Sequence, residues 1–275
     1  MVKLKKKVIK KVVKKVTPVQ NVSASVPESN GEPRSYERKN VLNILKMIKP
    51  GIASKDLVES MQYFFLSGTE IVTYNDRISI TYPFDSNFSA FIKADSFYNI
   101  MTRSSVESFM MGKDKENVSV KAKGLNVKLP VVIDDEVVGR IKNIGKDLVN
   151  VQWNVLPENF AECITLCAFA ASKSESESTL SCVHIGDDTC IASDNNRIAV
   201  ATLKKKMKEM FIKSSEIKNL ISIIPITYAV TNAWLHFKNE EGCIFSIRRI
   251  KGDYPDFLKH FEFEGSRVDL PSDLP

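Results

Sequence analysis

The sequence predicts an α+β protein built from a duplicated unit, each copy carrying two helices packed on antiparallel sheets. Three observations lead there. Ile71–Ile80 (IVTYNDRISI) and Ile191–Val200 (IASDNNRIAV) share Ile, Asn, Arg and Ile at 71/191, 75/195, 77/197 and 78/198, an offset of 120 residues. Phe91–Met101 (FIKADSFYNIM) and Phe211–Ile221 (FIKSSEIKNLI) match at 91/211, 92/212, 93/213 and 99/219, again 120 apart. Two ungapped blocks at one offset imply duplication rather than chance. Finally, short alternating runs of Ile, Val, Phe and Thr stand between turn signals such as Ser67-Gly68, Lys123-Gly124 and Glu241-Gly242, the pattern of antiparallel strands.

The elements follow in chain order. Residues 1–16 are a Lys/Val stretch with Val8, Ile9, Val12, Val13 and Val16 at helical spacing. Residues 17–34, rich in Pro, Ser, Asn and Gly, read as a linker. A helix over 37–49 opens the first copy, with Val41, Leu45 and Ile48 on one face and Lys39, Asn43 and Lys46 on another. Strands are predicted at 62–66, 70–73 and 77–82, then a helix at 94–103, then strands at 118–122, 126–132 and 148–153. The second copy repeats this: a helix at 157–172, strands at 180–184, 189–193 and 197–203, a helix at 214–223, and strands at 226–231, 233–238 and 243–250. Boundaries therefore fall at 1–35 for the tail, 36–155 and 156–262 for the two copies. The Leu-Pro junction before the second copy (Leu156-Pro157) recurs at Leu270-Pro271, with Ser272 and Asp273 placed as helix caps, so 263–275 read as the start of a third copy.

Composition excludes several classes. No apolar run approaches the ~20 residues needed to span a bilayer. The lysine-rich start lacks the apolar block of a signal peptide. Five cysteines without a CxxC pair read as small buried residues in a reducing, cytoplasmic setting. His184, His236 and His260 lack ligand spacing, so neither a metal nor a cofactor is expected. No GxSxG, HExxH, P-loop or paired-carboxylate signature marks an enzyme. Charge is uneven: residues 1–35 hold nine Lys and Arg against two Glu, a surplus of seven, while the whole chain is +6. The remaining 240 residues thus sum to −1, and any basic surface on the body is local. The tail reads as solvated chain or as an electrostatic tether to nucleic acid or an acidic partner.

The run Asp194-Asn195-Asn196-Arg197-Ile198-Ala199 resembles the strand–turn–strand motif of bacterial DNA polymerase III beta subunits, the sliding clamps. Gly252-Asp253-Tyr254-Pro255-Asp256-Phe257 is similar to that family's Gly-x-aromatic-Pro-Asp-aromatic segment. The helix–strand order and the Phe-Ile-Lys blocks agree over about residues 38–275, and the departures are like those of a divergent, phage-like version. The resemblance implies a non-enzymatic ring of six similar domains around duplex DNA, helices inward, tethering a polymerase to its template. Such a ring needs dispersed cations that attract phosphate without reading bases. Lys39, Lys46, Arg103, Lys173 and Lys218 are the expected DNA contacts.

The resemblance also implies a pocket for a short peptide from the polymerase or clamp loader, formed by Leu180, Ser193, Asn195, Asn196, Arg197, Ile198, Pro255, Lys259 and His260. Two departures bear on it. Asn195-Asn196 stand where the family has Gly-His, a change that keeps the turn because Asn tolerates positive φ but removes a wall. The third domain's wall is not in this sequence. The loop 173–178 (KSESES) carries Glu175 and Glu177, which would repel phosphate. Arg197 also reads as a turn residue, like its repeat mate Arg77. The expected partners are double-stranded DNA, a polymerase and loader, and further copies of the chain, with no membrane. The alternatives are a two-domain subunit of a trimeric clamp and, behind it, a hydrolase.

Overall fold

The computed structural model describes residues 32–53, 59–132, 134–174 and 179–261. The lysine-rich tail, Glu175, Glu177 and the 263–275 restart lie outside them, as does the side chain of His260. Chain order begins with β1 (Arg34–Glu37), α1 (Arg38–Ile48), β2 (Tyr63–Ser67), β3 (Glu70–Tyr74), β4 (Ile78–Pro83) and β5 (Ser89–Lys93). Then come α2 (Ala94–Arg103), β6 (Ser108–Lys113), β7 (Asn117–Ala122) and β8 (Leu125–Pro130). After α3 (Asp135–Asp147), a second set begins: β9 (Asn154–Val155), α4 (Phe160–Ala168), β10 (Cys182–Ser193), β11 (Ile198–Lys213) and α5 (Ser214–Ser222). It ends with β12 (Thr227–Val230), β13 (Trp234–Lys238) and β14 (Ile244–Arg248).

The 120-residue offset is visible in the elements: β1 and β9, α1 and α4, and α2 and α5 occupy corresponding places. β10 corresponds to β2 and β3 run together, and β11 to β4 and β5. The pairings agree, since β1 pairs β6 as β9 pairs β12. All strand pairs among the described residues are antiparallel, in sheets ordered β1-β6-β7-β8, β10-β11, and β5-β2-β3-β4-β14-β13-β12-β9. This is the α+β class the sequence predicts.

The eight-stranded sheet fuses the two sets. At its centre β4 of the first pairs β14 of the second, with Ile78 opposite Ile247, Ser79 opposite Ser246, Ile80 opposite Phe245 and Thr81 opposite Ile244. Ile80 and Phe245 are wholly buried. Polar contacts flank the junction: Tyr82 Oη donates to Glu241 Oε2 at 3.0 Å, and Arg248 Nε donates to the Asp76 carbonyl at 3.2 Å.

Apolar positions at helical spacing bury one face of each helix. α1 buries Val41, Leu45 and Ile48, α2 buries Ala94, Phe97 and Met101, and α4 buries Phe160, Cys163, Ile164 and Cys167. They share one core with strand residues such as Phe64, Ile80, Phe237 and Phe245. All five cysteines are buried thiols; burial pushes the Cys167 and Cys243 thiols up to about 12, so they are packed hydrophobes rather than reactive groups.

Four expectations need correction. Residues 148–153 form turns and irregular chain rather than a strand. β1 begins at Arg34, inside the stretch assigned to the linker. The helix expected over 157–172 is shorter, Phe160–Ala168. Residues 134–147, given no element from sequence, hold α3, which packs Val137 and Ile144 on Tyr63, Phe65, Tyr74, Phe91 and Trp234. Asp134 caps it, accepting from Val137 N at 3.0 Å and from Ser60 Oγ at 2.5 Å. The Ser60 hydroxyl and the Val137 N–H hold the Asp134 carboxyl below the usual range. Because Trp234 belongs to the second set, α3 braces the fused sheet from the face opposite the main core.

Candidate functional site

α1 carries Lys39, Asn43 and Lys46 on its solvent face, all exposed, opposite its buried stripe. Arg103 ends α2 in the open, and Lys218 is exposed on α5, as is Lys173 beyond α4. Residues three and four apart on one helix line up in a row, so Lys39 and Lys46 form a short cationic ridge. Not every cation near it is free for a ligand. Arg38 donates from Nε to the Val106 carbonyl at 2.7 Å and from Nη1 to the Met101 carbonyl at 2.9 Å, tying α1 to the end of α2. Lys49 Nζ sits 4.3 Å over the Tyr98 ring, a second tie between the same helices.

The second set is poorer in charge on this face. α4 exposes Glu162, Thr165 and Leu166 and no cation. Its neighbour β11 instead carries Lys204, Lys205, Lys206 and Lys208, all exposed. Lys204 pairs with Glu158 at 3.3 Å and Lys206 with Asp187 at 3.6 Å; exposed pairs of this kind hold their partners loosely. The run of three lysines was plain in the sequence, but reading a strand end there hid that it extends β11.

The expected pocket residues lie on separate stretches, of which the Asp194–Arg197 turn and the chain just past α4 are in contact through Arg197 and Phe169. The turn between β10 and β11 is built by Asp194, whose Oδ1 accepts from the N–H groups of Asn196 at 3.1 Å and Arg197 at 3.2 Å. Arg197 Nε donates to Asp194 Oδ2 at 3.0 Å. Ser193 Oγ, buried, accepts from Asn195 N at 3.2 Å, and Asn195 takes φ 69°, the left-handed conformation expected of Asn in this turn. Partial desolvation pushes the Asp194 carboxyl up, but the Asn196 N–H and the Arg197 charge outweigh it and hold the group low. The repeat mate is built differently: Asn75 Oδ1 accepts from Arg77 N and Ile78 N, and the positive φ falls on Asp76.

The Arg197 guanidinium lies 5.6 Å over the exposed Phe169 ring, just past α4. The Ser172 N–H donates to the Leu180 carbonyl at 2.9 Å, closing the loop between them. Gly252 lets the C-terminal stretch approach, since a Cβ there would stand 2.9 Å from Thr179 Cγ2. Beyond it the Tyr254 ring stacks on His184 at 4.8 Å and meets Phe257 edge-on at 5.4 Å. Pro255 is exposed, and Lys259 is paired with Asp256 at 3.1 Å. Phe169 and Tyr254 were not among the expected site residues; Tyr254 is the aromatic of the Gly252–Phe257 motif, whereas Phe169 lies outside the motifs and nothing but its aromatic character could have marked it.

His236 is fully buried between β12 and β14, its Nδ1 2.8 Å from Ser246 Oγ and its Nε2 3.2 Å from Thr231 Oγ1. Burial lowers it to about 4. Among the described residues no group of His, Cys, Asp and Glu could hold a metal, and no helix is long and apolar enough to cross a membrane.

No family model matches the sequence, and no curated protein matches it either. The fold does have close counterparts. The beta subunit of DNA polymerase from Streptococcus pyogenes superposes with a TM-score of 0.72 at 20% identity, over 85% of this chain and 68% of that one. The DNA polymerase III beta chain of Streptococcus pneumoniae gives 0.71 at 19%, over 84% and 68%. A DnaN sliding clamp from Pseudomonas aeruginosa bound to griselimycin gives 0.68 at 11%, over 86% and 69%. The chain therefore has the clamp fold and resembles these proteins as a divergent version, over about two thirds of their length.

Proposed function

We propose that this protein is a DNA sliding clamp: a non-enzymatic ring that encircles duplex DNA and tethers a replicative polymerase. The observation that carries the reading is the fused eight-stranded sheet. It joins two clamp-like units, 36–155 and 156–262 in this reading, into one continuous wall. The helices that share the main core then line one side of the wall, and their free faces carry Lys39, Lys46, Arg103 and Lys218 toward the phosphates. Lys173 supplements them from the chain that follows α4. Non-specific contact of this kind needs charge and mobility, not base-reading geometry.

In the same reading the surface around Arg197 receives a short peptide of the polymerase or loader. Leu180 and Ile198 supply apolar floor, and Phe169, held under the Arg197 guanidinium, adds a wall that the Asn195-Asn196 pair does not provide. Ser193 holds the turn from beneath, and Pro255 and Lys259 form the far rim; His260 is assigned to it by its place in the sequence alone. An inserted leucine or aromatic anchor would supply most of the affinity.

The test is the salt dependence of duplex binding. The slope of log K against log salt changes by about 0.9 for each phosphate that the protein neutralises. Replacing Lys39, Lys46 and Arg103 by Ala together should flatten the slope by two to three such steps, equally for unrelated sequences. An unchanged slope would remove these residues from the DNA surface.

A further inference from the structure

α3 is a weak helix on a strong seat. Its apolar stripe, Val137, Val138, Ile141 and Ile144, consists of small aliphatic side chains, and Val138 and Ile141 stay only half-buried. The floor beneath is richer: Tyr63 and Phe65 of β2, Tyr74 of β3, Phe91 of β5 and Trp234 of β13, all buried. The Phe65 and Phe91 rings lie 4.7 Å apart, and those of Tyr74 and Trp234 6.4 Å apart. Aromatic side chains gathered in this way supply much of the energy where one protein docks on another.

Two glycines weaken α3 further. A Cβ at Gly139 or at Gly145 would meet nothing within 4 Å, and neither residue has a positive φ. Alanine therefore fits both places, and packing does not call for the glycines. Inside a helix each glycine lowers the helical population about five-fold relative to alanine, and less where the last turn frays. The polar tie to the sheet is light as well. Arg140 Nη1 donates to Asp76 Oδ1 at 2.9 Å with both side chains exposed, and exposed pairs contribute little. The Asp134 cap holds one end of the helix. At the other end residues 148–153 are irregular chain, which leaves slack before β9.

We propose that α3 is a displaceable lid, and that the aromatic floor beneath it is a docking groove for an amphipathic helix of a partner protein. The lid itself shows what the partner carries. Its anchors Val137, Ile141 and Ile144 fall at i, i+4 and i+7, the spacing at which a helix lays one face into a groove. Arg140 meets the Asp76 carboxylate at the rim, so charge complementarity asks for a cation three residues after the partner's first anchor. Leucine or aromatic anchors bury more apolar surface on the rings than Val and Ile do, and this is what displaces α3. The groove spans both units, because Trp234 belongs to the second. It lies on the face of the fused sheet opposite the main core. In the clamp reading that face is the outside of the ring, so a docked partner leaves the DNA-facing helices free. The inference rests on the clamp reading for this placement alone.

The test uses the full chain with hydrogen exchange and a fluorescent peptide of residues 134–149 carrying Val137→Leu, Gly139→Ala, Ile144→Leu and Gly145→Ala. In the parent, the amides of residues 140–144 should exchange faster than those of α1, through local opening. Gly139→Ala with Gly145→Ala in the full chain should raise their protection about ten-fold and leave α1 unchanged. The peptide should bind the parent and strip protection from α3. It should bind the double variant about ten-fold more weakly, because a lid that opens less lowers the competent fraction. The same peptide with Ile141→Asp should not bind, since the charge would be buried on the rings. If α3 and α1 share one level of protection that tracks global stability, the lid does not open by itself and the inference falls. Equal binding to the parent and the double variant, or no binding at high micromolar peptide, overturns it as well. No arm of the experiment involves DNA, so the groove and the clamp reading fail separately.

Discussion

Acid should weaken this fold through one side chain. His236 sits in the centre of the fused sheet, fully buried, between Ser246 and Thr231 hydroxyls. Its imidazole falls from 6.5 to about 4 because burial disfavours the charged form. The unfolded chain therefore takes up the proton first as pH drops. The contribution is complete above about 6.5, is lost as pH falls toward 4, and does not change further below that. A gap of about 2.5 units corresponds to about 3 kcal/mol in all, of which about 2 kcal/mol would disappear between pH 7 and pH 5. The assay is urea unfolding at several pH values for the parent and for His236→Gln, which keeps polar contacts but cannot titrate. Subtracting the two curves removes the carboxylates common to both. A difference that grows by about 2 kcal/mol toward neutral pH bears out the buried neutral imidazole. Parallel curves would refute it.

Three further outcomes rest on the packing. Phe245→Ala should cost about 3–5 kcal/mol, because the ring is wholly buried at the β4–β14 junction; urea unfolding measures it, and a cost below about 1 kcal/mol would mean the junction does not hold the units together. Removing residues 1–31 should keep the thermal midpoint and flatten the salt dependence of DNA binding, whereas a cut after residue 35 removes Arg34 and Ser35 from β1 and should lower the midpoint. Leu180→Asp should abolish binding of a leucine- or aromatic-anchored partner peptide with the fold intact; equal binding in a titration would end the pocket assignment.

Much of the architecture was legible because it is repeated. One offset located both copies, and α2 lies where its apolar spacing put it. The misses have local causes. α3 has a capping aspartate and an apolar stripe, but Gly139 and Gly145 each cost a helix about 1 kcal/mol, and packing on Tyr63 and Trp234 outweighs that. Gly186-Asp187-Asp188 fall between the strands predicted at 180–184 and 189–193; the register does shift there, with Asp187 at φ 50°, yet the strand runs through as a bulge. β1 is four residues of an otherwise polar stretch, and only its pairing with β6 makes it a strand. At the candidate site the Asp194–Arg197 turn was readable from residue types. The Phe169–Arg197 contact was not, since it joins residues 28 apart through the tertiary fold.

The central claim, encirclement, is tested most directly by release. The protein is threaded onto linear duplex from open ends, the ends are then blocked with a bulky protein, and the complex is isolated in high salt. The account predicts that the protein stays on blocked DNA and leaves promptly once a restriction cut opens an end, whatever the base sequence between. Equal and rapid loss from blocked and opened DNA would contradict it.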